Sequence, residues 1–353
     1  MKRFAISAAT IAALLAATPA SAEKTLRVGF CARTVSSAAA PFAVATKMGW
    51  FAQAGFSVEL LPLPGSTDCV KSVATRDIDY SLPSIEPLAI IRPQGIMIKN
   101  YYTAYQGNVY GLAVPADSAI KGFEDLRGKR VGVISMSSAG VIIARALAAS
   151  HGMDPDRDIS IVVAGEAGQT AALLRSGQVD ALSQFDTQYA LIENAGVKMR
   201  WLDNSDIAKF PSNGFITYEE TLKTNRAEAV GLAQGYAKGT VFALANPAAA
   251  VRALWEVFPQ TKATGKDEAT ALKDDVKVLE ARAHAWRLEA GGVSKWGENS
   301  EANYASYLDF LLKWGVLKQK VEAADILTNE LIEEINKFDP AEIAALAKKQ
   351  AGN

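Results

Sequence analysis

A Ser-rich corner between an apolar strand and an apolar helix carries the side chains best suited to bind a ligand. The strand predicted at 130–135 is followed by Ser137, Ser138 and Gly140, where the helix begins. Ligands of open α/β sheets bind at strand carboxyl ends, so this corner is a candidate site. A helix N-terminus offers unpaired backbone N–H groups and a partial positive charge, which favour an acceptor-rich group. Capping of the helix by Ser137 or Ser138 is the alternative interpretation.

The composition argues against several other kinds of chemistry. The sequence has no G-x-S-x-G, C-x-x-C, H-E-x-x-H or G-x-G-x-x-G motif. Its 2 histidines, His151 and His284, lie far apart, which disfavours a His-rich metal site. The formal net charge is −1, and no basic stripe of the kind that binds nucleic acid is present. We therefore predict no metal, no cofactor, no nucleic-acid partner and no enzymatic activity.

The N-terminal residues follow the pattern of a cleaved secretory signal. Lys2 and Arg3 precede an apolar run at 4–17, and residues 20–22 (Ala-Ser-Ala) match an A-x-A cleavage site. The apolar run is shorter than the ~20 residues that span a bilayer. We therefore predict that 1–22 form a signal peptide, that cleavage occurs near Ala22, and that the mature chain is exported to the periplasm.

Cys31 and Cys69 are the only cysteines in the sequence. An oxidising compartment favours a disulfide between an even pair of cysteines. Both residues follow predicted strands at the same end of a sheet, so a bridge between them is plausible. Two free buried thiols are the alternative.

Alternating strands and helices predict two α/β halves of similar plan. Such alternation is typical of parallel sheets with helices on both faces. The pattern restarts after Gly107-Asn108, and the region after 225 is mainly helical. The predicted strands before the restart lie at 25–30, 57–63, 79–82 and 96–105. Those after it lie at 109–114, 130–135 and 159–163, with a short strand within 177–184.

Four stretches of this pattern carry a family resemblance: residues 40–59, 111–133, 176–181 and, more weakly, 246–259. The sequence resembles the periplasmic substrate-binding proteins of ABC importers, in the branch for nitrate, sulfonates, taurine and thiamine-precursor pyrimidines. The resemblance implies a two-lobe clamp of the type II periplasmic-binding-protein fold. Each lobe would be a mostly parallel sheet flanked by helices, with extra C-terminal helices.

The implied lobes are discontinuous in sequence. Lobe one would contain 23–110 plus 217–353, and lobe two would contain 111–216, with crossings near 108–111 and 212–217. The protein would capture a small polar organic molecule, such as a sulfonate, carboxylate or nitrogenous compound, by hinge closure. A monomer would then deliver it to an ABC permease in the inner membrane. An exported ligand sensor with the same clamp is the alternative. An enzyme of the pyrimidine-synthase type is a further alternative, which is disfavoured because the Cys-rich cluster of those enzymes is absent from this sequence.

The same geometry predicts which side chains contact the ligand. Arg33 could pair with a carboxylate or sulfonate, or lie exposed on a loop. Phe42 and Phe185 could sandwich a ring or alkyl chain, or be buried in a core. The carboxylates of Glu86, Glu166 and Asp186 could hold an amino or other cationic group, or be solvated. The full predicted set is Arg33, Phe42, Gly65, Ser66, Ser84, Glu86 and Gln106 from lobe one, and Ser137, Ser138, Glu166, Gln184, Phe185 and Asp186 from lobe two.

Overall fold

The computed structural model describes residues 24–350, which form two five-stranded sheets with helices packed around them. The predicted signal peptide at 1–22 lies outside the described residues. The strands are β1 Lys24–Phe30, β2 Phe56–Pro62, β3 Tyr80–Ser81, β4 Ile98–Thr103, β5 Tyr110–Pro115, β6 Lys129–Val133, β7 Ile159–Val163, β8 Ala181–Phe185, β9 Met199–Trp201 and β10 Gly214–Tyr218.

Helices connect the strands and make up most of the chain after β10. They are α1 Ala40–Lys47, α2 Trp50–Gln53, α3 Ser66–Ala74, α4 Glu86–Ile91, α5 Ala139–Ser150, α6 Ala167–Arg175, α7 Asp186–Asn194, α8 Glu219–Thr224, α9 Arg226–Ala245, α10 Pro247–Val257, α11 Glu268–Trp286, α12 Leu288–Gly291, α13 Glu301–Lys313, α14 Ala323–Ile326, α15 Ile332–Ile335 and α16 Pro340–Lys349. Within 24–350, no helix is both long and apolar enough to cross a membrane.

Both sheets are mixed, and the predicted α/β fold class is confirmed. The first sheet has the order β2-β1-β3-β10-β4, and the second has the order β7-β6-β8-β5-β9. Strands joined by helices are parallel, as β1 is to β2 and β6 is to β7. β5 and β10 are antiparallel to both of their neighbours. Each enters its sheet from the other sheet, so no βαβ crossover forces it to be parallel.

We call β1–β4, β10 and the helices packed on them lobe one, and β5–β9 with their helices lobe two. β10 (Gly214–Tyr218) belongs to lobe one and straddles the boundary predicted between 216 and 217. The two crossovers between the lobes are hydrogen-bonded side by side. The amides of Ala104 and Tyr105 donate to the Asn213 carbonyl at 2.9 and 3.0 Å, and the Ser212 amide donates to the Tyr105 carbonyl at 2.9 Å.

A disulfide joins Cys31, just after β1, to Cys69 in α3. Both cysteines lie in lobe one, near the carboxyl ends of β1 and β2. The bond fixes the loop after β1 to the helix that follows β2, and both segments face lobe two.

Candidate ligand-binding site between the sheets

A small cavity lies where the carboxyl ends of strands from both sheets meet the two crossovers. Its volume is about 30 Å³, which is room for roughly two water molecules. This is the arrangement in which open α/β sheets bind ligands. The lining residues are Phe30, Cys31, Ala32, Ser36, Ala38 and Leu82 from lobe one, Tyr105, Val109 and Asn213 from the crossovers, Tyr110 and Phe185 from lobe two, and Arg282 from α11.

Arg282 and Asp186 form a buried ion pair beside this cavity. Their side chains are 3% and 4% exposed, and the two groups come from α11 and from the first residue of α7. Arg282 Nε lies 3.0 and 2.8 Å from the two carboxylate oxygens, and Nη2 lies 2.5 Å from Oδ1. The guanidinium also lies 4.1 Å above the Tyr105 ring. This bidentate, stacked geometry is the kind that favours arginine over lysine.

The environment keeps Arg282 charged. Burial lowers the pKa of its guanidinium, but the Asp186 carboxylate and the Tyr105 phenol raise it, and the net direction is upward. A permanently charged group thus lies in a buried site, with its charge compensated by Asp186 of lobe two.

Two polar atoms at the cavity have no hydrogen-bond partner among the described residues. Asn213 is 7% exposed, and its Nδ2 donates to the Leu82 carbonyl at 2.8 Å, which leaves Oδ1 unpaired. Arg282 uses Nε and Nη2 for Asp186, and its Nη1 makes no hydrogen bond within 24–350. Buried polar groups are normally paired, so the unpaired Asn213 oxygen, in a cavity that a charged donor also lines, makes this cavity the candidate ligand site.

The Ser-rich corner of lobe two touches lobe one directly. Ser135 Oγ donates to the Pro64 carbonyl at 2.8 Å, and the Thr67 amide in the first turn of α3 donates to the Ser137 carbonyl at 3.1 Å. A Cβ on Gly65 would lie 2.4 Å from that same carbonyl oxygen, so only glycine permits this approach. The corner therefore brings the lobes together in this conformation.

Comparison with known proteins now identifies the relatives of this two-lobed chain. A family model described as "NMT1/THI5 like" matches residues 36–250. The chain belongs to the NMT1/THI5-like family. The riboflavin-binding protein RibY of Chloroflexus aurantiacus is 21% identical over 296 residues, which cover 83% of this chain and 82% of RibY.

Two solved structures show the shared fold. One is the alkanesulfonate-binding protein SsuA from Xanthomonas axonopodis pv. citri bound to MOPS, with a TM-score of 0.63 and 17% identity over 87% of this chain and 99% of SsuA. Another is the periplasmic nitrate-binding protein NrtA from Synechocystis PCC 6803, with a TM-score of 0.63 and 15% identity over 92% of this chain and 98% of NrtA. The family predicted from the sequence is thereby confirmed.

In this NMT1/THI5-like protein, the predicted contact residues of lobe two divide between several roles. Phe185 lines the cavity, and Asp186 binds Arg282. Ser138 Oγ accepts from the Gly140 amide at 3.0 Å, so it caps α5 as in the alternative interpretation. Gln184 Nε2 donates to the Gly165 carbonyl at 3.2 Å and lies off the cavity.

Glu166 and Arg33 contact each other without an ion pair. Glu166 Oε1 accepts from the Arg33 backbone amide at 3.0 Å, and Oε2 accepts from the Thr34 hydroxyl at 2.6 Å. The residue Arg33 itself is exposed. Glu166 therefore joins the lobes at the edge of the cleft, and neither residue lines the cavity.

Glu86 is a buried carboxyl close to the crossovers, 1% exposed, that does not line the cavity. The Tyr307 hydroxyl donates to its Oε1, and its Oε2 has no partner in the described part of the chain. Burial raises the pKa of Glu86, and hydrogen bonding to the carboxyl opposes this only in part. Behind it, the Ser84 amide donates to Ser66 Oγ at 3.1 Å, so these two buried serines hold the backbone of lobe one.

Two other predicted contacts lie in the interior of lobe one. Phe42 is 1% exposed and packs edge-on against Phe215 and Tyr236, with ring centroids 5.8 and 4.9 Å away. The apolar face of α1 packs on α9, so the Phe42 ring lies in the core, as in the alternative interpretation, and does not line the cavity. Gln106 Nε2 donates to the Thr103 and Glu298 carbonyls, so it ties the first crossover to the C-terminal helices.

Sequence reasoning missed Tyr105, Tyr110, Asn213 and Arg282. One of them left a readable signal, because Arg282 interrupts the buried face of α11 formed by Val278, Leu279, Ala285 and Trp286. A charge at helical spacing within an apolar stripe needs a buried partner. The partner itself, 96 residues away in sequence, was not readable from the pattern.

Proposed function

We propose that this NMT1/THI5-like protein is the solute-binding component of an ABC importer. It captures a small polar organic molecule, such as a sulfonate, carboxylate or nitrogenous compound, between its lobes by hinge closure, and delivers it to an inner-membrane permease. The observation that carries the proposal is the cavity at which strand ends from both sheets and both crossovers converge. A ligand there contacts both lobes only when they are together, so binding favours the closed form.

The lobes, the compartment and the oligomeric state belong to the same proposal. The two sheets support a lobe of residues 23–110 plus 217–353 and a second lobe of 111–216, with β10 at their junction. The sequence of residues 1–22 supports cleavage near Ala22 and export to the periplasm, where NrtA is found. A monomer suffices, since a single chain supplies both faces of the cleft.

Binding without catalysis is the favoured activity, because RibY, SsuA and NrtA are named as binding proteins. An exported sensor that presents the same clamp to a receptor is the second candidate. The two differ in the partner: only the importer component stimulates ATP hydrolysis by a permease–ATPase complex in membrane vesicles when it carries its solute.

A thermal-shift screen combined with small-angle X-ray scattering tests the binding function. The panel contains alkanesulfonates, nitrate, small carboxylates, pyrimidines and riboflavin. A solute at 100 times its Kd should raise the free energy of unfolding by about 2.7 kcal/mol and reduce the radius of gyration. A panel that changes neither quantity, with a reaction product formed from one of its members, would overturn the proposal.

A further inference from the structure

The unpaired atoms at the cavity narrow the chemical class of the solute. We infer that Arg282 and Asn213 recognise a planar cyclic amide or imide, whose carbonyl accepts from Arg282 Nη1 and whose N–H donates to Asn213 Oδ1. The inference rests on the proposed binding function and predicts which members of the panel bind.

The hydrogen-bond inventory of the cavity requires both a donor and an acceptor on the solute. Asn213 Oδ1 can only accept, and its orientation is fixed because Nδ2 donates to the Leu82 carbonyl. Arg282 Nη1 can only donate. An oxyanion such as a sulfonate or nitrate offers acceptors alone, so it leaves Asn213 Oδ1 unpaired and brings a negative charge towards it. A neighbouring N–H and C=O satisfy both atoms.

The charge balance of the cavity also favours a neutral solute. Arg282 is the only charged side chain that lines the cavity in the described residues, and Asp186 already neutralises it through three short contacts. An anionic solute at Arg282 Nη1 would therefore add a net negative charge beside a buried ion pair that is already neutral, and an anion that needs more of the guanidinium would have to displace Asp186. Because Asp186 is 4% exposed and bound bidentately, its displacement leaves a buried carboxylate without a partner.

The shape of the cavity favours a flat group. Tyr105 and Phe185 lie on the guanidinium at 4.1 and 5.8 Å, and Tyr110 packs edge-on against Phe185 with ring centroids 5.7 Å apart. Flat aromatic faces pack well on a planar ring. The cavity of about 30 Å³ is smaller than an organic ring, so the lobes must move apart slightly to hold one. A flat ring requires less separation than a bulky group.

Isothermal titration of the full mature protein with succinimide and N-methylsuccinimide tests the donor requirement. The two compounds share their ring and carbonyls and differ in the single N–H. Succinimide should bind at least about tenfold more tightly than N-methylsuccinimide, because methylation of the nitrogen leaves the buried Asn213 Oδ1 without a donor. Methanesulfonate and nitrate should bind more weakly than succinimide.

Variants assign the effect to individual side chains. Asn213→Ala should remove most of the preference for succinimide over its N-methyl derivative. Asn194→Ala is the matched control, because its Nδ2 also donates to a backbone carbonyl, that of Asp274, outside the cavity; it should retain the preference. Asp186→Asn should raise the affinity for methanesulfonate relative to succinimide by about tenfold, since Arg282 loses its competing carboxylate.

The outcomes separate this inference from the binding function. Equal affinities for the two imides, or tighter binding of methanesulfonate or nitrate, would overturn the inference and leave the binding function standing. The same holds if neither imide binds while another panel compound raises the melting temperature. If no compound binds or changes the scattering, both are overturned. The imide pair needs only wild-type protein, so the test survives if Asn213→Ala or Asp186→Asn fails to fold.

Discussion

Replacing Gly65 by alanine should open the cleft without unfolding either lobe. The backbone of Gly65 is extended, with a φ of 174°, which alanine adopts without strain. The change therefore acts through the added Cβ alone. That atom would lie 2.4 Å from the Ser137 carbonyl oxygen and 2.7 Å from the Ser138 amide nitrogen, both of which are backbone atoms of lobe two.

The expected magnitude follows from the contacts that must separate. Backbone on both sides of the clash cannot rotate away, so the lobes move apart and lose two hydrogen bonds. These join the Thr67 amide to the Ser137 carbonyl at 3.1 Å and Ser135 Oγ to the Pro64 carbonyl at 2.8 Å. At about 1 kcal/mol each, their loss disfavours the closed form by about 2 kcal/mol, a factor of about 30 in its population.

Small-angle X-ray scattering and urea denaturation measure the two halves of this prediction. Gly65→Ala should increase the radius of gyration, weaken solute binding and leave the unfolding of the lobes nearly unchanged. Gly168→Ala is the control, because Gly168 lies in α6 with no atom near its added Cβ. It should keep the wild-type scattering and gain about 0.5–1 kcal/mol of stability. A Gly65→Ala protein with wild-type radius and wild-type affinity would refute the reasoning.

Three further predictions concern buried groups. Replacing Cys31 and Cys69 by serine should lower the free energy of unfolding by about 4 kcal/mol in urea, because the bond closes a loop of 38 residues; equal urea midpoints would contradict this. Burial raises the pKa of Glu86 above its ordinary 4.5, so this residue costs no stability below that pH and destabilises the fold as pH rises through the raised value. Glu86→Gln should thus gain stability over wild type with increasing pH in urea melts, and parallel pH profiles would exclude the effect. Asp186→Asn should lower the free energy of unfolding, or the free energy that favours the closed form, by about 3–5 kcal/mol, because it leaves the buried Arg282 unpaired. Asp156→Asn removes an exposed ion pair (44% and 68% exposed) and should cost less than about 1 kcal/mol by the same melts; similar costs for the two variants would show that burial is irrelevant.

Much of the fold was readable because each βαβ unit has a local signal. The strand predicted at 130–135 and the helix start predicted at Ser137 to Gly140 agree with β6 and α5 to within a few residues. β10 was not readable as a strand, because it is buried on both faces and shows no alternation of apolar and polar residues. Its antiparallel place between β3 and β4 depends on contacts with strands more than 100 residues earlier.

The site was readable where local chemistry decides it and unreadable where packing decides it. The strand-to-helix corner at Ser137 and Ser138 could be placed from its residue types, and it does lie at the interface of the lobes. Phe42 could not be assigned, since an apolar ring in α1 looks the same whether it faces a cleft or α9. Arg282 gains its role only when α11 packs against α7, which brings Asp186 to it.

The two crossovers are hydrogen-bonded to each other at Tyr105, Ser212 and Asn213, and so form one narrow ribbon. In the proposed hinge closure, both crossovers bend together because they are paired, so one angle between the lobes describes the change. A single distance between the lobes then reports that angle. Fluorophores attached at exposed Ile90 in lobe one and exposed Met136 in lobe two would convert that angle into an optical signal, which makes the molecule a natural scaffold for a reagentless biosensor.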